Sequence, residues 1–275
     1  MAVTTSQQIA RFFNEYSETE VTFTKAVSRA TLLESKGIYL KCGGKNWPCV
    51  LYSASMTSAK IIANIATGLN ESLRASNGSA QLRLSFLSPE KMDSIAFFVP
   101  VKLAGLSQYK NDSQEICFAN LQFTQRPPDD LIFVLGELLD ANVNAKRRSE
   151  ERITLTSHSL KLLRIDMESS TLEVDGVPRK VLFRDLSFSG CRVILMGVPK
   201  LLIDKPVRCR FVLQEPEEKV VIEGKIVRFD PVEGRQDIAV FGVKFAEESV
   251  HPSYKLRINS TLRQFRANPS TKPNE

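Results

Sequence analysis

Hydrophobic positions along this chain recur at two periods, and the switches between them mark its elements. In residues 6–16, Ile9, Phe12 and Phe13 fall at helical spacing and predict a short N-terminal helix. Residues 21–23, 37–41 and 49–52 read as short strands, with Gly43-Gly44 turning between the second and third. Over residues 58–73, Ile61, Ile62, Ile65, Ala66 and Leu69 predict an amphipathic helix, which Asn77-Gly78 breaks. Strands resume at residues 82–86, 95–101 and 116–123. Pro127-Pro128 ends the last of them. Asp129 or Asp130 can then cap a helix over residues 130–142, where Leu131, Val134, Leu135 and Leu138 keep helical spacing.

The rest of the chain is strand-like. Short apolar runs occupy residues 153–156, 160–166, 171–174, 180–185, 192–195, 207–213, 220–229 and 238–245, with Asp175-Gly176 as a tight turn. Strands at this spacing predict a closed antiparallel barrel. Residues 252–265 mix basic and apolar positions at helical period and predict a C-terminal helix packed on it. The fold class is therefore mainly β with flanking helices, in two domains. Residues 1–145 form a β domain ending in a linker helix, residues 146–266 a barrel with its helix, and residues 267–275 a disordered tail. A chain of 275 residues can bury two such cores.

Composition narrows the function classes. No uncharged apolar run approaches the roughly 18 residues a membrane span requires. The first ten residues carry neither a basic segment nor an apolar one, so a cytoplasmic protein is expected. Five cysteines, an odd number without a C-x-x-C pair, and two histidines give no zinc-ligand spacing, so no structural metal is expected. Residues 1–145 hold 13 Lys and Arg against 13 Asp and Glu, and residues 146–275 hold 24 against 18. The whole positive excess lies in the second half, which is where an anionic partner would bind. No enzyme is expected either. His158 and His251 stand apart from any nucleophile, Gly43-Gly44 lacks the Lys-Ser/Thr of a phosphate loop, and Glu215, Glu217 and Glu218 sit in a polar hairpin.

The chemistry concentrates in two motifs. Arg147-Arg148-Ser149-Glu150-Glu151-Arg152 contains R-x-x-x-R, and Asp185-Leu186-Ser187-Phe188-Ser189-Gly190 is D-x-S-x-x-G. An arginine fork matches O6 and N7 of guanine, bonds phosphate oxygens and stacks on purines. Arg148 and Arg152 are the candidate pair, with Arg147 adding charge. Asp185 is an acceptor for guanine N1–H and the N2 amine. Ser187 can bond phosphate or base, and Gly190 gives a turn that a side chain would obstruct. The ligand implied is phosphorylated and guanine-bearing.

These two motifs, in this order at the head of a β-rich half, resemble the PilZ domain, whose members are bacterial receptors for cyclic di-GMP. The resemblance covers about residues 146–266 and includes the strand Val240-Phe241-Gly242-Val243-Lys244-Phe245. It implies a six-stranded antiparallel barrel and ligand contacts at Arg148, Arg152, Asp185, Ser187 and Gly190, beside Arg147. The ligand is bound singly or as a stacked pair in relatives. The first half is similar to the accessory domains of flagellar-brake proteins and their spirochaete relatives, which implies a degenerate PilZ-like barrel; it lacks its own pair of motifs, so no second nucleotide site is expected there. The function implied is a cytoplasmic cyclic di-GMP receptor whose domains rearrange on binding and signal to an unidentified protein partner, in motility or virulence. Two other classes stay open: a nucleic-acid-binding barrel, and an interaction scaffold that needs no ligand.

Overall fold

A computed structural model of the chain describes residues 6–66, 68–88, 93–109 and 115–267. Beyond Ala267 the expected tail lies outside the described residues. The chain divides into two compact units, Met1–Asp140 and Ala141–Glu275.

In the first unit the predicted N-terminal helix is α1 (Ser6–Tyr16), which buries Ile9 and Phe12. After it come β1 (Val21–Thr22), α2 (Lys25–Ala30), β2 (Tyr39–Cys42), β3 (Lys45–Ala54), β4 (Ser58–Asn64), α3 (Leu69–Ala75), β5 (Ser79–Leu87), β6 (Ser94–Gln108), β7 (Ile116–Phe123) and α4 (Asp129–Arg147). The β2–β3 hairpin turns on Gly43 and Gly44, both at positive φ, the two-residue loop whose twist suits antiparallel strands. Strands β3-β2-β5-β6-β7-β4 pair in that order and β4 returns to β3, so six antiparallel strands close into a ring.

The helix expected over residues 58–73 is instead β4 followed by the short α3. Ala59, Ile61 and Ala63 alternate into the core, while Ser58, Lys60 and Ile62 face outward. Adjacent β-branched Ile61 and Ile62 favour a pleated strand, and β4 is the element that closes the ring between β3 and β7.

Helix α4 starts where Pro127-Pro128 predicts and runs five residues past the expected end, through Arg147. Its last residues belong to the second unit, where the Asn144 amide donates to Asn259 at 2.9 Å and Ala145 packs on the core. Lys146 and Arg147 in the final turn suit the negative end of the helix dipole.

The second unit continues with β8 (Arg152–Thr154), α5 (Ser157–Leu163), β9 (Ile165–Val174), β10 (Val177–Arg179), β11 (Val181–Ser187), β12 (Gly190–Met196), α6 (Pro199–Leu202), β13 (Pro206–Leu213), β14 (Glu218–Val232), β15 (Arg235–Phe245) and α7 (Pro252–Ala267). The sheet order is β10-β9-β13-β14-β15-β12-β11-β8, antiparallel throughout. Six long strands, β9 and β11 to β15, make its body, and the three-residue β8 and β10 lie at the ends. The sheet curls until β11 approaches β9. A strand was expected at residues 160–166, but α5 occupies most of that stretch. The Thr156 hydroxyl accepts from the Ser159 N–H at 3.2 Å and the Ser159 hydroxyl from the Thr156 N–H at 2.8 Å. This reciprocal cap starts a helix, which Arg164 ends at φ 51 before β9 begins.

The predicted C-terminal helix, α7, seals the core with Tyr254, Ile258, Leu262 and Phe265. The Tyr254 ring stacks on Phe211 at 5.3 Å and meets Phe245 edge-on at 5.9 Å.

Candidate functional site

The two motifs meet on the outer face of the second unit, and a β-bulge in β11 turns Asp185 toward it. In β11 the ladder to β12 slips between Phe183 and Asp185. Phe183 opposes the buried Val193, yet Asp185, two residues on, opposes the outward-facing Arg192. Without the slip at Arg184, Asp185 would share the inward face of Phe183. A second slip, between Ile226 and Arg228 of β14, likewise carries the strand from the buried Ile226 to an outward Arg228 opposite Gly242.

Asp185 is the most enclosed charge in the site, with its side chain 1% exposed. Arg152 donates from Nη1 to Asp185 Oδ1 at 2.7 Å, and Arg192 pairs through Nε with Oδ2. The carboxylate is buried because two cations cover it, which is the arrangement a buried charge needs. Arg192 was read from sequence only as a strand residue. Its role was legible in hairpin arithmetic: a loop centred between Phe188 and Ser189 places position 192 opposite 185.

Ser187 and Gly190 close that hairpin. The buried Ser187 hydroxyl donates to the Gly190 carbonyl at 3.0 Å, so it serves the loop rather than facing solvent. Gly190 lies in β12 opposite Lys244, and a Cβ there would overlap the carbonyl oxygen of Val243. The glycine is required by close strand approach, not by the turn conformation expected from sequence.

Arg147 and Arg148 are exposed at and just beyond the end of α4, the Arg148 N–H bonding the Asn144 carbonyl at 2.8 Å. The Arg148 guanidinium lies 3.8 Å from Glu151, and Glu151 also accepts from Arg266 of α7 at 2.8 Å. Helix α7 therefore touches both motifs, since the Tyr254 hydroxyl donates to the Ser187 carbonyl at 3.0 Å. Burial, more than the neighbouring Cys191, Cys209 and Asp185, holds this phenol well above its ordinary value. The Ser189 hydroxyl adds a bond to the Ser149 carbonyl at 2.7 Å. Guanidinium donors thus stand around one carboxylate on an open face, an arrangement fitted to an anionic, hydrogen-bonding ligand.

Residues 7–142 match the model of the PilZN3 domain and residues 146–258 that of the PilZ domain. A curated relative, the "Cyclic di-GMP binding protein" of Treponema denticola, is 39% identical over 259 residues, covering 94% of this chain and 82% of that protein. The chain belongs to the PilZ family. Among solved structures, this PilZ protein is similar to the Borreliella burgdorferi PlzA protein in complex with c-di-GMP, at 24% identity, TM-score 0.43, and coverage of 93% and 98% of the two chains. Escherichia coli YcgR in complex with c-di-GMP is more distant, at 10% identity and TM-score 0.30 over 91% and 94%.

Among the described residues of this PilZ protein no group of His, Cys, Asp and Glu could hold a metal ion, and no helix is long and apolar enough to cross a membrane. Glu215 and Glu217 are exposed in the β13–β14 hairpin, where Arg164 pairs with Glu215 at 2.9 Å.

Proposed function

We propose that this chain is a cytoplasmic cyclic di-GMP receptor, with residues 146–266 binding the ligand and residues 1–145 acting as its accessory domain. The observation that carries the reading is the Arg152–Asp185 contact, which joins the two motifs on one outer face. The name of the Treponema denticola relative supports the choice of ligand. Arg148 and Arg152 grip guanine O6 and N7 or the phosphates, Arg147 adds charge, and Asp185 accepts from guanine N1–H and N2. Ser187 and Gly190 hold the loop that presents Asp185. For Arg152 to reach the ligand it must leave Asp185, and Arg192 then keeps the buried carboxylate compensated.

Capture of the ligand at a motif that follows the linker helix directly is proposed to change how the domains are arranged, as a population shift. The altered surface would meet a downstream protein, with an output in motility or virulence. Calorimetric titration of cyclic di-GMP into the full chain, beside the double variant Arg148→Ala/Arg152→Ala, tests the reading. Saturable binding that the variant loses supports it. Absence of heat from the folded wild-type chain would overturn it in favour of a ligand-independent scaffold or a nucleic-acid-binding barrel. Small-angle scattering with and without ligand tests the rearrangement, and an unchanged profile would reject it.

A further inference from the structure

The second unit leaves a strip of its outer wall apolar, and no residue of the two motifs belongs to it. Leu182 of β11 opposes Ile194 of β12, Ile194 opposes Val240 of β15, and Val240 opposes Asp230 of β14. One outward row further from the motifs, Met196 opposes Ile238. Val193, Leu195 and Ala239 between them are buried, so strand alternation turns this set outward. Val198 and Leu201 continue the strip beyond the end of β12, at α6. Leu182, Met196, Val198 and Leu201 are 62%, 61%, 61% and 69% exposed, so the core takes little from them. Large apolar side chains gathered in this way, rather than scattered singly, mark a contact surface.

The charges at the two sides of the strip differ in sign. On the β11 side Arg179, Lys180 and Arg184 are exposed, and among the described residues their side chains have no ion pair or hydrogen bond. On the β14 side Asp230 and Glu233 are exposed and likewise unpaired among the described residues. Asp237, nearby, is already held by Arg235 at 2.9 Å. Elsewhere on this unit arginines find carboxylates within the chain, as Arg208 and Arg210 do on Glu173 and Arg266 on Glu151. Here three strand spacings, about 14 Å, separate the β11 side from the β14 side, with the apolar strip between.

An apolar centre with cations along one side and carboxylates along the other is complementary to itself. A two-fold axis through the middle of the strip lays the cationic side of one copy on the carboxylate side of the other, and does so twice. A wholly acidic or wholly basic partner would match one side and be repelled by the other. We propose that this strip is a homodimer interface, through which two copies of the chain join by β11, β12, β15 and α6. The inference stands apart from the ligand reading, because it uses no motif residue.

Sedimentation velocity of the full chain over a wide concentration range tests it, with each variant also checked by thermal melting. The wild type should pass from monomer to dimer as concentration rises, and high salt should weaken the dimer. Leu182→Glu, at a site open to solvent, should keep the wild-type melting temperature and stay monomeric. Arg179→Glu/Lys180→Glu should dimerise about ten-fold more weakly or worse. Adding Asp230→Lys/Glu233→Lys to that same chain should restore the dimer, since the two sides have then exchanged signs. A wild type that stays monomeric throughout would overturn the proposal and leave the strip to a different protein. A dimer unchanged by Leu182→Glu would place the interface elsewhere, and a fourfold variant that associates no better than the double one would reject the two-fold pairing of the sides.

Discussion

The Tyr254 hydroxyl donates to the carbonyl of Ser187 at 3.0 Å, tying the C-terminal helix to the middle of the D-x-S-x-x-G hairpin. Tyr254→Phe keeps the ring on Phe211 and Phe245 and removes only that bond. Leaving a buried carbonyl short of a donor should cost about 1–2 kcal/mol, read as a lower urea midpoint with unchanged slope. Ligand binding should weaken as well, because the hairpin presents Asp185.

Asp185 separates two kinds of loss. Arg152→Ala alone leaves the carboxylate on Arg192, and Arg192→Ala leaves it on Arg152. The double variant strands a buried charge and should cost about 3–5 kcal/mol, more than the two single effects combined. Denaturation of the three variants measures this coupling, and simple additivity would show that water already shares the carboxylate.

Gly190→Ala should destabilise the second unit by about 1–3 kcal/mol or more, because the new methyl overlaps the Val243 carbonyl and the ladder must shift. Circular dichroism melting checks it. A variant as stable as wild type would mean that the β12–β15 ladder yields easily.

All five cysteines are buried. Burial pushes the Cys49 thiol from 9.0 up to about 12, and raises Cys117 and Cys191 as well. Because the folded values lie above the unfolded ones, this contribution to stability is complete below pH 9.0 and is lost as pH rises toward about 12. A disulfide reagent at mildly alkaline pH should therefore find almost no reactive thiol in the native chain and five after denaturation.

Much of this architecture is written locally. The hairpins at Gly43-Gly44 and Asp175-Gly176, the Pro127-Pro128 helix start and the apolar repeat of α7 each follow from neighbouring residues. The misread segments are those where a distant partner decides. Ile61, Ile62, Ile65 and Leu69 satisfy a helical period, but β3 and β7 claim the first two. Leu160 and Leu163 look strand-like until the Thr156–Ser159 cap is recognised. In the site, the motif residues were visible as letters and hairpin arithmetic pairs Arg192 with Asp185, whereas the inward turn of the Ser187 hydroxyl depends on the folded loop. The two bulges had no signal in the sequence.

Closure of the first unit sets an order on its assembly. The hairpins β3–β4, β5–β6 and β6–β7 join neighbours, whereas Ser58 must find Gln122 before β4 and β7 meet. Until β7 leaves the ribosome, β4 and β6 each expose an unpaired edge rich in apolar residues. A nascent or truncated chain ending before Ile116 should therefore be a preferred client of chaperones and prone to aggregate, while the finished ring offers those strands no edge for another chain to join.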